Sequence, residues 1–189
     1  NVAILATLKH AYGFTLPELM NTMLVASLMI ELAVPAFNSF IENNRIASST
    51  NELVSALAVA RSGAIHRRET ATLCSSTDDL PTCVPLNNCS CAGSANWETG
   101  WILFSDRNGN GTIDGADTLL RVWEALPTGH TLTATGGMTR VSFDRLGVAS
   151  GGDTFRLNNP DCRTGQPDRA RTITLLTSGR VNVARANCP

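Results

Sequence analysis

Apolar residues crowd the N-terminal part of the chain and then thin into shorter, alternating runs. Leu19 to Phe37 is mostly apolar, interrupted by Asn21, Thr22, Ser27 and Glu31. At about 1.5 Å of rise per residue, a helix over this run covers most of a bilayer's roughly 30 Å hydrocarbon core. Pro35 should kink or loosen that helix. Past it, Phe37, Ile41, Ile46, Leu53, Leu57, Ala60 and Ala64 recur at helical spacings, while Asn43, Asn44, Arg45, Ser48, Ser49 and Asn51 fill the other faces. The pattern predicts one helix with a single buried stripe, ending near Arg68. Arg67 and Arg68 suit its C-terminal dipole.

After the helix the period drops to two. A short strand is predicted at Ala71–Cys74, an aromatic one at Gly100–Phe104, and another at Leu119–Ala125. Further strands are expected at Thr131–Thr135, Thr139–Asp144, Phe155–Leu157, Arg171–Thr177 and Arg180–Ala184, separated by Gly-rich or Pro-containing turns. The sum is an α+β chain, one long helix packed on antiparallel sheet. At 189 residues there is room for the apolar helix and one further domain.

Charge changes this picture only through its distribution, because the net value is -1. Seven acids lie between Glu69 and Asp117 against Arg107 alone, whereas nine arginines and five acids follow Thr118. Arg169, Arg171, Arg180 and Arg185 could form a basic stripe that meets phosphates. A solvated strand face beside Asp161 and Asp168 is the simpler account of the same residues. Glu18 and Glu31 are the acids of the apolar run, and a carboxylate in such a place is a functional candidate.

Six cysteines, none in the apolar run, fit an oxidising compartment. Cys74, Cys83, Cys89 and Cys91 crowd an insertion over 74–91 whose spacings match no common zinc pattern, so disulfides are expected. A Cys89–Cys91 bond would be strained, which favours crossed or nested pairs. Cys162 and Cys188 are the remaining pair, and a bond between them would staple the C-terminal strand. Between two predicted strands, Asp106, Asn108, Asn110, Thr112, Asp114 and Asp117 follow the alternation of a calcium loop, with Gly111 at the sharp turn. Asp stands where a bidentate Glu is usual, and an Asn/Gly/Asp turn without metal accounts for the same residues. No cofactor is required by the pattern, though calcium is compatible with it. His10, His66 and His130 are scattered without a nucleophile–base arrangement, so no enzyme is expected.

The stretch Gly13-Phe14-Thr15-Leu16-Pro17-Glu18, with the apolar run and Pro35, resembles the N-terminus of type IV pilins and type II secretion pseudopilins. Ala58–Ile65 and the block Gly100–Val122 are similar to the GspH/FimT (FimT/FimU-like) branch of minor pilins. The resemblance implies the type IV pilin-like fold, with the first half of the helix transmembrane. It implies a leader over 1–13, a transmembrane and assembly helix over 14–41, and a periplasmic globular domain over 42–189. A prepilin peptidase would cut between Gly13 and Phe14 and methylate the new Phe14 amine, and Glu18 would serve assembly. The implied partners are other minor and major pilins, the peptidase and the inner membrane. The implied location is the inner membrane as a single-pass protein and, after assembly, the pilus or cell surface. Related pilins often link a hairpin by a disulfide such as Cys74–Cys83. The implied role is a structural or priming subunit of a pilus tip complex. Two alternatives are a FimT-like DNA-binding minor pilin used in natural transformation and a GspH-type pseudopilin of type II secretion. In DNA-binding relatives the last hairpin carries G-R-x-R. Here Gly179 and Arg180 match, but Asn182 replaces the second Arg.

Overall fold

A computed structural model describes residues 13–77 and 90–189. The residues before Gly13, where a leader is expected, and Cys83 and Cys89 lie outside the described residues. Two compact units divide between Ile41 and Glu42. Helix α1 (Leu16–Arg67) passes through both and runs unbroken through position 35. In the first unit its apolar side chains face outward: Phe14, Met20, Met23, Leu28, Met29, Ile30, Phe37 and Phe40 are all exposed. Among the described residues, with the side chains of 32, 35 and 36 outside the description, no helix is long and apolar enough to cross a membrane.

The second unit holds the core. Eight strands follow the helix: β1 (Thr70–Ser75), β2 (Trp101–Asp106), β3 (Thr118–Trp123), β4 (Thr131–Ala134), β5 (Arg140–Phe143), β6 (Asp153–Asn158), β7 (Ala170–Leu175) and β8 (Val181–Ala186). They form two antiparallel sheets, β3-β2-β1-β5 and β4-β6-β7-β8. Ile46, Leu53, Ala56, Leu57, Ala60 and Ala64 of the helix join Leu73, Trp101, Leu103, Val141, Phe143, Phe155, Leu157 and Ile173 of both sheets in one buried cluster.

The expected stripe is therefore corrected at both margins. Phe37 and Ile41 are exposed, and burial begins at Ile46. Ser49, assigned to a polar face, is buried, as is Thr50. Two sheets contribute to the cluster that this stretch of helix joins, so its buried arc is wider than a stripe. Thr50 fits there because its Oγ1 donates to the Ile46 carbonyl at 2.6 Å, which satisfies the hydroxyl locally.

Strand β2 is buried at every position because both its faces are covered. Trp101 and Leu103 enter the main core, and the Trp101 ring stacks on Trp123 with centroids 6.4 Å apart. Ile102 and Phe104 face the other way and form a smaller cluster with Cys74, roofed by Cys91, Ile113, Leu119 and Val122. The β6–β7–β8 layer is covered on one face only. Opposite its core side it presents Thr154, Thr174 and Asn182 in one row and Arg156, Thr172 and Ala184 in the next.

Sheet edges are treated unequally. The outer edge of β4 is covered by residues 95–97, where Trp97 N donates to Leu132 O at 2.7 Å and Ala134 N to Ala95 O at 2.9 Å. The outer edge of β5 is covered at Ala149 and Ser150, Ser150 N donating to Ser142 O at 2.7 Å. Among the described residues, β3 and β8 are the edges left open, the kind that natural sheets otherwise blunt.

Disulfides join Cys74 to Cys91 and Cys162 to Cys188. The first replaces the Cys74–Cys83 link open at the level of resemblance. The chain returns antiparallel to the end of β1, with Ser76 bridged to Cys91 and Ala92 N donating to Ser75 O at 2.8 Å, which brings Cys91 beside Cys74.

Candidate functional site

Three groups of residues carry candidate chemistry: the helix start, the β2–β3 loop and the arginines. At the helix start, Gly13 and Phe14 are exposed, Phe14 to 87%. Thr15 and Glu18 form the Glu half of a capping box. The Glu18 Oε2 accepts from the Thr15 N–H at 3.1 Å and from Thr15 Oγ1 at 2.9 Å. This settles a backbone donor that the first helical turn would leave open. The Thr-x-x-Glu spacing was readable as a cap, and the sequence reading passed over it. Glu31 is exposed on the same helix and makes no hydrogen bond or ion pair among the described residues.

The β2–β3 loop brings all six calcium-pattern residues together, but their oxygens are used inside the loop. Asp106 is buried and accepts from Thr72 Oγ1 at 3.1 Å, Asn110 N at 3.2 Å and Gly111 N at 2.9 Å. Asp117 accepts from Arg107 N at 3.1 Å and Asp114 N at 3.0 Å. Asn108 and Asn110 turn their amide nitrogens to Asp114 Oδ2, at 2.8 and 3.0 Å, while their carbonyl oxygens accept the N–H groups of Asn110 and Thr112. The backbone N–H of Ala116 and these two amides hold the Asp114 carboxyl below its usual range. Arg140 Nη1 donates to Gly111 O at 2.7 Å, putting a cation against the loop. Among the described residues no group of three His, Cys, Asp or Glu is placed to hold a metal. As placed, the donor set fits a loop closed by its own hydrogen bonds. Gly111 needs its freedom, since φ is 72° and a Cβ would come within 2.8 Å of Arg140 Nη1.

The four C-terminal arginines do not form one stripe. Arg171 and Arg185 are cross-strand partners on β7 and β8. The Arg171 guanidinium donates to the carbonyls of Asp168 and Ala170 at 2.8 and 2.9 Å. Burial lowers its pKa, with the neighbouring Arg185 charge adding and Asp168 opposing. Arg185 lies 3.9 Å from Asp168, both exposed, and such pairs contribute little. Arg169 is half-buried at the start of the same strand pair. Arg180 is elsewhere. It occupies the β7–β8 turn, about 16 Å along β8 from Arg185 at strand rise, and lines a shallow cleft with Val54, Ala58, Arg61, Ile65 and Val181.

Its neighbours there come from distant sequence. Arg61 Nη1 donates to Gly179 O at 3.2 Å. The turn after β5 packs against the same arginine, since a Cβ on Gly147 would meet Ile65 at 2.8 Å and Arg61 at 3.0 Å, and one on Gly179 would meet Gly147 O at 2.5 Å. That turn also carries Arg145, which lines a polar concavity of about 560 Å³ with Arg68, Glu69, Thr70, Arg107 and Asp144. Arg61, Arg68, Arg107 and Arg145 were not singled out as a group. Arg61 and Arg68 belong to the end of α1, but Arg107 and Arg145 come from distant loops, so only tertiary packing unites them.

Comparison with known proteins then places this geometry. A family model described as type II transport protein GspH matches residues 49–179. Sequence comparison with the curated proteins finds no match. Among solved structures, the chain is similar to the type IV minor pilin FimU of Pseudomonas aeruginosa PAO1 in two crystal forms. One is 20% identical with a TM-score of 0.56, covering 77% of this chain and 92% of that one. The other is 18% identical with a TM-score of 0.52, covering 73% and 91%.

Proposed function

This chain belongs to the GspH family of pilin-like proteins, and from that premise we propose that it is a minor pilin, a structural or priming subunit of a type IV pilus tip complex. The observation that carries the reading is the apolar surface of Phe14–Ile41, whose described large side chains are exposed. Water does not tolerate a continuous face of this kind, so lipid must cover it before assembly and neighbouring helices after. In this reading residues 1–13 are a leader, a prepilin peptidase cuts after Gly13, and the Phe14 amine is methylated. The stretch 14–41 holds the subunit in the inner membrane with residues 42–189 in the periplasm, and the assembled subunit reaches the pilus. Glu18 then exchanges its Thr15 bonds for the amino terminus of a neighbour, because a carboxylate gains most from an ammonium where water is excluded. In this reading the subunit is a structural part, and its role calls for neither catalysis nor a cofactor. The β2–β3 loop keeps its shape by internal hydrogen bonds, and calcium would have to displace them.

The test is processing. A Gly13→Arg variant in cells holding the peptidase should remain at precursor mass. Its conversion to mature mass would remove the leader assignment. A pseudopilin of type II secretion shares the fold and the leader, and the GspH family description favours that second reading. Crosslinking to pilus or to secretion subunits separates the two. A DNA-binding minor pilin is a third reading, supported by the exposed Arg180.

A further inference from the structure

The helix end, the β2–β3 loop, the β5 turn and the β7–β8 turn gather five arginines: Arg61, Arg68, Arg107, Arg145 and Arg180. We propose that this arc is a duplex nucleic-acid contact surface that reads phosphate backbone and not sequence. The inference rests on the DNA-binding reading and shares only Arg180 with the stripe first considered for it.

The arc is continuous. Arg61 is packed between the two turns, against Gly147 and Gly179. Arg145, two residues before Gly147, faces Arg68 and Arg107 across the polar concavity. Two carboxylates border it and both are engaged. Asp144 Oδ1 accepts from Leu146 N and Val148 N at 2.9 and 2.8 Å. Glu69 Oε2 accepts from Ser105 Oγ at 2.5 Å, and its Oε1 lies 3.7 Å from Arg107 Nε. Arg68, Arg145 and Arg180 are exposed, and their guanidinium groups have no hydrogen-bond or ion-pair partner among the described residues. Arg68 closes α1 with φ at 58°, a left-handed position that usually goes to Gly or Asn.

The form of the ligand follows from what surrounds the cations. Strand-separated nucleic acid is held by aromatic platforms. Among the described residues of the second unit the exposed large apolar ones are Ile65, Leu146, Val148, Leu176 and Val183, all aliphatic. With cations and no exposed Phe, Tyr or Trp among those residues, the contact is to the backbone of a duplex, and its signature is counterion release.

The test uses the full chain in zwitterionic detergent and a labelled 20-base-pair duplex of arbitrary sequence, titrated from 50 to 200 mM salt. Arg145→Ala/Arg180→Ala should weaken binding about tenfold or more at 50 mM and lower the slope of log affinity against log salt by about two. Arg163→Ala/Arg185→Ala, which removes the same charge elsewhere, should change affinity less than about threefold, within the spread expected of an exposed pair. If the second variant loses binding and the first keeps it, DNA binding stands and this surface is wrong. If the unsubstituted protein binds no duplex at 50 mM salt, both fall. If a single strand binds more tightly than the duplex, the backbone-only account is overturned.

Discussion

The two halves of helix α1 teach that hydrophobicity and burial are separate properties. Before Glu42 the helix is rich in Leu, Met, Ile and Phe, yet these side chains lie open. After it the sequence turns polar, with Asn43, Asn44, Arg45 and Asn51, and yet Ile46, Leu53 and Leu57 are fully covered. What differs is the partner. The second half packs on two sheets of the same chain, while the first half has no such cover among the described residues, and the proposed function assigns that cover to lipid and to neighbouring subunits. A large-to-small change should therefore cost folding stability in one half and association in the other.

The largest expected effect is Leu57→Ala, which leaves a hole between helix and sheets. Unfolding of the domain should become easier by about 2–5 kcal/mol, measured by denaturant titration. The matching Leu28→Ala should shift the same transition by less than about 0.5 kcal/mol and reduce assembly into a fibre. Equal losses from both variants would erase the contrast between the halves.

Next comes the Cys162–Cys188 bond, which closes a separation of 26 residues. Replacing both cysteines by Ser should cost about 3 kcal/mol on chain-entropy grounds, without altering processing of the N-terminus. Peptide mapping without reductant should recover the two peptides as one.

A smaller effect is expected at the β2–β3 loop. Excess calcium should move the thermal midpoint by less than about 1 °C, roughly the response to a few tenths of a kcal/mol. A rise of several degrees that disappears in Asp106→Asn would show that the loop reorganises around the ion.

The smallest concerns Glu52 of the second half. The residue is exposed, but partial desolvation raises its carboxyl pKa, Arg121 opposes the shift and Glu124 adds to it. A carboxyl whose pKa is higher folded than unfolded is harder to ionise in the fold. Its effect on stability is absent below the unfolded value and becomes a loss as pH rises through the folded one. Glu52→Gln should raise the midpoint by about 1 °C at pH 7 and leave it unchanged at pH 3. Equal shifts at both pH values would remove desolvation of the charge as the cause.

Local patterns made most of this fold readable. Strand β2 announced itself by Trp101, Ile102 and Phe104, and the turn at Ser178–Gly179 set the β7–β8 register that pairs Arg171 with Arg185. The capping box at Thr15 and Glu18 was equally local. What escaped the sequence depended on packing between distant segments. Nothing near Ser49 says that two sheets border its helix. Nothing near Arg145 says that Arg61 and Arg68 lie beside it, because that neighbourhood exists only once the β5 turn has packed against the helix. The Cys74–Cys91 pairing belongs to the same class, since it required knowing that the chain returns to the end of β1.

That return has a practical consequence. Thr77 N donates to Ser90 O at 3.4 Å, their hydroxyls are 2.7 Å apart, and the Cys74–Cys91 bond fastens the base just below. Thr77 and Ser90 are therefore pinned to each other by bonds that do not depend on the disulfide. Reduction of Cys74–Cys91 should loosen this end of β1 without freeing it.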